Sequence, residues 1–321
     1  MTATASAKIS KAPRPSERGP ILTRTRNLKM ARSAHAYVRG STVQFYEWLE
    51  ASGGKLPKGP PIWICGDCHL GNMGPLEAAA ARLAGALGLD VSIPEAIVID
   101  GVEALLITRF DRVVREGVVY RLHQEDFAQA LGLPARLKYE RNGTPGRRFD
   151  AEAIARVLDQ TEVPARARAA FLSATVFNLL IGNTDNHAKN HGLLYRHGRA
   201  PVLAPLYDLL PSRMNLDFNG QLSFNIGAAD HPEAITLADL MAFLEIFGMR
   251  RAAASRFIEN VVKPMILALE RATLGLSGER LKDMDDLIGR ETEQLVEVLG
   301  LDVPVRERDY FPKSRHVLVA S

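Results

Sequence analysis

The apolar positions of the chain follow two kinds of spacing. Within residues 1–122, helical spacing predicts helices over 33–50 and about 76–87, the second of them rich in alanine. Short apolar runs beside turn residues predict strands over 62–65, 96–100, 104–109 and 118–122. This part of the chain therefore predicts a small sheet accompanied by few helices.

Helical spacing dominates the rest of the chain, with predicted helices over 124–131, 150–158, 165–180, 250–272 and 278–298. Asp150 is a candidate N-cap, and Thr236 with Asp239 forms a capping-box pattern before a further helix. The stretch 184–230 has no regular period. We expect an α+β fold of two lobes, a small mixed sheet followed by a mostly helical lobe, which is the order of elements in a protein-kinase-like fold.

Composition narrows the class of protein. The chain has 321 residues, of which 46% are hydrophobic and 24% charged, and these values exclude a wholly disordered, collagenous or coiled-coil protein. No run approaches the roughly 20 apolar residues of a membrane span. The first 20 residues lack the apolar centre of a secretory signal. We therefore expect a cytoplasmic protein that has no membrane partner.

Charge is concentrated at the N-terminus. Residues 1–32 hold eight basic side chains and one acidic one, so this segment has a charge of +7. Because the whole chain has a net charge of +3, the remaining residues have a net charge of −4. Pro and Gly interrupt this segment, which predicts a disordered arm. Such an arm is the one part of the chain where we expect nucleic-acid contact, because the remainder is mildly acidic.

The segment NTDNHAKN (183–190) contains the most informative candidate chemistry. Transfer of a phosphoryl group requires a carboxylate that accepts the hydroxyl proton, oxygen ligands for Mg²⁺, and a cation near the transferred group. Asp185 and Asn190 supply the first carboxylate and an amide ligand five residues apart, and Lys189 is the candidate cation. Asp208 follows after some twenty residues as a second metal ligand. An Asn and an Asp suffice, because Mg²⁺ keeps waters and phosphate oxygens as its other ligands.

Other metal and redox patterns are weaker. His187 and His191 are spaced as a helical metal pair, but no third ligand or Glu base accompanies them. Cys65 and Cys68 form a C-x-x-C-H pattern that is read as haem attachment, a redox pair or half a zinc site. No second cysteine pair exists, and a coincidental pair in a loop remains the simplest interpretation of these cysteines.

Over about residues 76–265 the sequence resembles the HipA-type serine/threonine kinases of bacterial toxin–antitoxin systems. The resemblance rests on the segments LAGALGL (83–89), TRFDR (108–112), HQEDFAQALG (123–132), KYE (138–140), GNTDNHAKN (182–190) and PLYD (205–208). It implies an ATP- and Mg²⁺-dependent kinase that phosphorylates a Ser/Thr hydroxyl of a protein, with a translation component as target. It also implies a helix-turn-helix antitoxin as partner.

The same resemblance assigns individual roles. It implies Asp185 as the catalytic base and Asn190 with Asp208 as the Mg²⁺ ligands. His187 and Lys189 are implied to line the nucleotide and its phosphates, beside Tyr207. The hinge that holds adenine is implied at Thr108, Arg109 and Phe110, where family members often have Glu in place of Thr108.

The front of the chain departs from the HipA pattern, since it has no Gly-rich phosphate loop and no Lys on the strand over 62–65. This part instead resembles a bacterial family of unknown function with a G-D-x-H-x-x-N signature, here GDCHLGN (66–72). Lys29, Arg39, Lys55 and Lys58 are equal candidates for a replacement nucleotide cation.

Asp67 and Asn72 are five residues apart, as in aminoglycoside phosphotransferases, and offer a second candidate catalytic loop. Two alternatives to a protein kinase therefore stay open, a small-molecule phosphotransferase that uses this pair and a catalytically dead pseudokinase or fusion remnant that acts as a binding module. The predicted domains are the basic arm (1–32), an atypical N-lobe (33–122) and the helical C-lobe with the catalytic loop (123–321).

Overall fold

The computed structural model describes residues 75–99, 102–215 and 219–308. The predicted basic arm, the predicted helix over 33–50 and the predicted strand over 62–65 lie outside these residues. So do Cys65 and Cys68, the GDCHLGN segment with Asp67 and Asn72, and the four candidate cations from Lys29 to Lys58. The predictions made for them stay predictions.

Helices are the predominant regular elements of the described part. They are α1 (Pro75–Ala86), α2 (Phe127–Ala130), α3 (Ala151–Leu158), α4 (Pro164–Leu180), α5 (Leu237–Ile246), α6 (Arg251–Phe257), α7 (Lys263–Ala272) and α8 (Glu279–Leu299). One π-helical turn, Ile258–Val262, joins α6 to α7. The predicted caps are confirmed, because the Asp150 carboxylate accepts from the Ala153 amide at 2.8 Å and Thr236 with Asp239 forms a capping box.

The described strands pair into three small antiparallel sheets. They are β1 (Glu95–Ile99) with β2 (Val102–Leu106), β3 (Arg112–Arg115) with β4 (Val118–Arg121), and the trio β5 (His123–Asp126), β6 (Gly192–Tyr195) and β7 (Val202–Leu203). A single parallel bridge joins Val91 to Leu206. β6 lies between β5 and β7, so the chain just after the candidate catalytic loop enters a sheet.

Two sequence predictions are wrong in detail. The helix predicted over 124–131 begins only at Phe127, because residues 123–126 pair with β6 and Asp126 caps the helix in a reciprocal bond with Gln129. The stretch 184–230, predicted as irregular, contains β6 and β7. Pairing between β5 and β6, 70 residues apart, leaves no local period, and β7 has only two residues.

The hydrophobic core is formed largely by helices, and phenylalanines are its largest fully buried side chains. Helix α8 packs against α1 and α4, and four fully buried phenylalanines, Phe127, Phe149, Phe171 and Phe177, contribute the largest side chains. Burial of each such ring stabilises the fold by roughly 1.5–3 kcal/mol. The helical core holds the C-terminal end of α4 in place, and the candidate catalytic loop follows directly from that end. Among the described helices, none has both the length and the apolar character that crossing a bilayer requires.

Candidate active site

The segment that contains Asp185 leaves helix α4 through a left-handed glycine. Gly182 has φ +66°, and a Cβ atom there would lie 2.8 Å from Cδ2 of Leu287 on α8. The Asn183 side chain donates to Oδ1 of Asn178 at 2.8 Å, and its own Oδ1 accepts from the Asp185 amide at 3.2 Å. The turn therefore requires glycine at 182 on two grounds, and the Asn183 side chain ties the loop to the last turn of α4.

Two serines hold the other side of the loop at Thr184. The Thr184 amide donates to Oγ of Ser212 at 2.9 Å, and Oγ of Ser223 donates to the Thr184 carbonyl at 2.8 Å. The Arg213 amide donates to the Gly182 carbonyl at 3.1 Å. The backbone just before Asp185 is thus fixed from both sides, and a base needs such preorganisation if it is to meet an acceptor hydroxyl.

Asp185 and Asn190 are joined within one turn. The Asn190 Nδ2 donates to the Asp185 carbonyl at 3.1 Å, which leaves its Oδ1 as the oxygen that could bind a metal. The Asp185 side chain is half-buried, and Asn190 is buried. Spacing alone placed a carboxylate and an amide in one loop, and the structure adds the hydrogen bond that keeps their relative position.

Two consecutive residues from a distant segment contact this loop. Nζ of Lys138 lies 2.6 Å from Nε2 of His187, and the Tyr139 hydroxyl donates to Oδ1 of Asp185 at 2.6 Å. The Lys138 carbonyl also accepts from the Ala188 amide at 3.1 Å. A lysine can donate to His187 when Nε2 of the ring is unprotonated, so this contact favours the neutral imidazole with its proton on Nδ1. Lys138 thereby brings a cation to the side of the loop that holds His187.

A second group of the predicted site residues lies around a cavity. The rings of Phe110 and Tyr207 pack with centroids 5.7 Å apart, and the Tyr207 hydroxyl donates to the Lys189 carbonyl at 2.8 Å. A cavity of about 650 Å³ is lined by Lys189, Tyr207 and Arg109, among other residues. These contacts link the predicted hinge to the predicted catalytic loop, and the cavity has a volume in the range of ligand sites.

The wall of this cavity is strongly polar. Besides Lys189 and Tyr207 it is formed by Arg109, Asp111, Arg112, Arg121, Leu122, His123, Gln124, Asp126 and Gln129. Asp111 accepts from Arg109 through both carboxylate oxygens at 2.7 Å and from Arg112 at 2.6 Å. A buried carboxylate between two guanidinium groups leaves a surplus of positive charge in this wall, which suits an anionic ligand.

Asp208 is one of two described non-glycine residues with positive φ, at 57°. Aspartate and asparagine tolerate this left-handed conformation better than most residues, and such backbone strain concentrates at functional sites. Helix α1 brings Glu77 into the same region. Burial, together with the charge of Asp208, raises the pKa of Glu77 to about 8.

The donor set fits a magnesium ion. Asn190 and Asp208 would hold the ion through side-chain oxygens, the ligand type that Mg²⁺ prefers. The fit rests on the chemistry of this donor set. Burial is the main cause of the raised pKa of Glu77 and the charge of Asp208 adds to it, and a divalent cation bound nearby would counter both effects. No three described His, Cys, Asp or Glu side chains form a metal cage, and a Mg²⁺ ion shared with nucleotide phosphates does not need one.

The predicted site residues thus fall into two groups. Asp185, His187 and Asn190 lie in one loop, which Lys138 and Tyr139 contact, whereas Arg109, Lys189 and Tyr207 line the cavity. Phe110 packs against the ring of Tyr207. Asp208 follows Tyr207 directly, and Thr108 is exposed in the segment before Arg109. Lys138 contacts the His187 side chain, while Lys189 is one of the residues that line the cavity.

Sequence reasoning missed Lys138, Tyr139 and Glu77. The KYE segment at 138–140 was a sign for the first two, because it belongs to the family resemblance although spacing assigns it no role. Glu77 lies in an alanine-rich helix, where a lone carboxylate looks like an ordinary helix-start residue.

Comparison with known proteins identifies the family and the fold. The family model of the HipA-like C-terminal domain matches residues 56–269, and that of an uncharacterised protein conserved in bacteria (DUF2252) matches residues 18–86. In structure, the chain is similar to one from the complex of the Shewanella oneidensis toxin HipA with HipB and operator DNA. That match has a TM-score of 0.60 at 29% identity and covers 72% of this chain and 58% of the other.

The class of protein that the fold and the structural match define is therefore the kinase-like α+β class, with a helical C-terminal part and small antiparallel sheets. Since its model matches two thirds of the sequence, the chain belongs to the family of HipA-like C-terminal domains. This confirms the family and the fold class expected from the sequence.

Curated relatives point to the same class. A Sinorhizobium fredii protein named "Putative kinase Y4mE" is 36% identical over 217 residues, which are 66% of this chain and 48% of that protein. The serine/threonine-protein kinase toxin HipA of Shewanella oneidensis is 34% identical over 187 residues, 54% of this chain and 42% of the toxin. The chain spans about half the length of the curated relatives it matches.

Proposed function

We propose that this chain is a HipA-like kinase that transfers the γ-phosphoryl group of ATP, with Mg²⁺, to a serine or threonine hydroxyl of a protein. The observation that carries the proposal is the loop in which Asn190 is hydrogen-bonded to Asp185. It holds a candidate base and a candidate metal ligand in one rigid turn, whose backbone is fixed from both sides.

In the proposed reaction the acceptor hydroxyl oxygen forms a bond to the γ-phosphorus. The bond between that phosphorus and the bridging β–γ oxygen breaks, and ADP leaves with the bonding electrons. The hydroxyl proton passes to Asp185. Lys138, next to His187, and Lys189, at the cavity, are candidate cations for the phosphates. Mg²⁺ held by Asn190 and Asp208 would neutralise phosphate charge.

The comparisons also support a proposal about the binding partner and the target of this chain. The Shewanella oneidensis HipA structure is a complex with HipB and operator DNA. We accordingly propose a small helix-turn-helix antitoxin as the partner of this chain and a component of translation as its target. A cytoplasmic location suits both proposals.

The test uses the full chain, [γ-³²P]ATP with Mg²⁺, and a peptide library in which each peptide carries a single Ser, Thr or Tyr. We expect label on Ser or Thr peptides and none with Asp185→Asn, which should still bind ATP in a calorimetric titration. Asp302→Asn is the matched control, because Asp302 is an exposed carboxylate after α8, and it should behave as the wild type. Equal labelling by Asp185→Asn and the wild type would refute the assignment. ATP binding with no labelling in any variant would favour a pseudokinase.

A further inference from the structure

The Tyr139 hydroxyl makes a hydrogen bond that the expected chemistry leaves unexplained. It donates to Oδ1 of Asp185 at 2.6 Å, a short distance typical of a hydroxyl bound to a carboxylate. Tyr139 lies between two 3₁₀ turns, Ala135–Leu137 and Glu140–Asn142. The bond therefore links a segment 46 residues upstream to the candidate base.

The tyrosine ring is held on several sides. It meets the His187 ring edge to face with centroids 5.3 Å apart, and Cζ of Arg141 lies 4.0 Å from its centroid. Nη1 of Arg141 in turn donates to the Leu222 carbonyl at 3.0 Å, so the guanidinium is itself anchored. A ring packed in this way has little rotamer freedom, and the direction of its hydroxyl is set by the surrounding structure.

The hydroxyl remains a donor at neutral pH. Burial and the neighbouring Asp185 carboxylate raise the pKa of Tyr139 well above its ordinary value, so the phenol keeps its proton. A carboxylate has two oxygens. When Tyr139 occupies Oδ1, Oδ2 is the oxygen left for an acceptor hydroxyl, and the plane of the carboxylate is fixed.

We infer that Tyr139 is the positioning residue of Asp185, which it holds so that Oδ2 faces the acceptor hydroxyl. This inference rests on the proposed function. Tyr139 contacts neither the acceptor nor ATP in this role and acts through the base. A carboxylate that rotates freely presents either oxygen in many directions, and misplacement of a reacting group by about 1 Å costs on the order of 100-fold in rate.

The test compares Tyr139→Phe, which removes the hydroxyl and keeps the ring, with Tyr139→Leu, which removes both. The matched control is Tyr195→Phe. Tyr195 donates to Oε2 of Glu125 at 2.7 Å on the β5–β6 sheet, a bond of the same type outside the catalytic loop. Each variant is assayed for kcat and KM with the peptide library, for ATP affinity by calorimetry and for Tm.

For Tyr139→Phe we expect kcat to fall by roughly 10- to 100-fold, with the KM for ATP and the ATP affinity unchanged. Tyr139→Leu should have a similar kcat and a lower Tm, since it also loses ring packing. Tyr195→Phe should keep the wild-type kcat. Wild-type kcat in Tyr139→Phe would overturn the inference while leaving the kinase assignment intact. Phosphotyrosine at 139 after incubation with ATP would overturn it in another way, because Tyr139 would then be an acceptor.

A spectroscopic readout does not depend on activity. The carboxyl ¹³C resonance of Asp185, assigned by its loss in Asp185→Asn, should shift in Tyr139→Phe and stay in place in Tyr195→Phe. An unshifted resonance in Tyr139→Phe would refute the positioning role. If the proposed function itself is wrong, the wild-type protein labels no peptide, and this result is distinct from an unshifted resonance.

Discussion

Arg213 donates through Nη1 to both carboxylate oxygens of Glu291 at 2.7 Å, and both side chains are largely buried. Arg213 is also the residue whose amide donates to the Gly182 carbonyl at the start of the candidate catalytic loop. The pair thus connects helix α8 to the loop that contains Asp185. Burial raises the pKa of Glu291 against the opposing effect of Arg213, so its charge depends on that arginine.

We predict that Glu291→Gln lowers the free energy of unfolding by roughly 3 kcal/mol, because it leaves a buried guanidinium without its main partner. Arg213→Met alone should cost a similar amount. The double variant should lose less than the sum of the two, since neither charge is then left uncompensated. Urea melts of the four proteins measure this coupling, and strictly additive losses would show that the pair is energetically unimportant.

Asp208→Asn is predicted to weaken Mg²⁺-dependent ATP binding. Asparagine tolerates the φ of 57° at this position, so the substitution removes the charge without adding backbone strain. Mutation of a residue that only supports a metal ligand lowers metal affinity by roughly 10- to 100-fold. Because Asp208 is proposed as a ligand itself, we expect the affinity for ATP with Mg²⁺ to fall by at least this factor. Titrations of ATP with Mg²⁺ and with EDTA measure it, using Asp302→Asn as the control. If the affinity of Asp208→Asn still depends on Mg²⁺ as in the wild type, Asp208 is not a metal ligand.

His191 is predicted to make the fold acid-sensitive. It lies fully buried among Phe127, Phe149 and Phe171, with ring centroids 5.2, 6.0 and 5.2 Å away, and burial lowers its pKa to about 3. In the unfolded chain His191 has a pKa near 6.5, so below that pH the unfolded chain binds a proton at His191 that the folded chain does not bind. Stability is therefore lost as the pH falls from 6.5 towards 3, by about 2 kcal/mol between pH 7 and 5.

The variant His191→Phe should remove this slope, because phenylalanine suits the aromatic surroundings. His197→Phe is the control, since His197 is exposed in the β6–β7 turn and its loss should leave the slope in place. Denaturant melts at pH 7, 6 and 5 provide the comparison. An unchanged slope in His191→Phe would assign the acid sensitivity to other groups.

Glu77 is predicted to have the opposite effect on the pH dependence of stability, which it lowers as the pH rises. Its folded pKa of about 8 exceeds the ordinary value of 4.5, so the folded chain holds a proton that the unfolded chain has released. Stability is full below pH 4.5 and falls as the pH rises to about 8, by up to about 4 kcal/mol when no divalent cation is present. Glu77→Gln should be more stable than the wild type at pH 8. Glu152→Gln, at an exposed carboxylate of α3, should not. Equal stability of Glu77→Gln and the wild type at pH 8 would contradict the shift.

Local sequence determined the features that depend on neighbours in the chain. The helices over 75–86, 151–158 and 164–180 were predictable from spacing, and Asp150 and Thr236 were predictable caps, because side chains within four residues decide both. The loop containing Asp185 and Asn190 was predictable for the same reason, since the candidate base and the candidate metal ligand come from one short segment.

Tertiary structure decided what depends on distant partners. Residues 123–126 carry no strand pattern, and they become β5 only because β6 lies beside them. The bond from Tyr139 to Asp185 joins residues 46 apart, and the contact between Arg213 and Glu291 joins residues 78 apart. The pKa of Glu77 likewise depends on burial and on a carboxylate brought near by the fold. Sequence therefore identified the candidate catalytic residues, whereas packing determined which side chains orient them and which charges surround them.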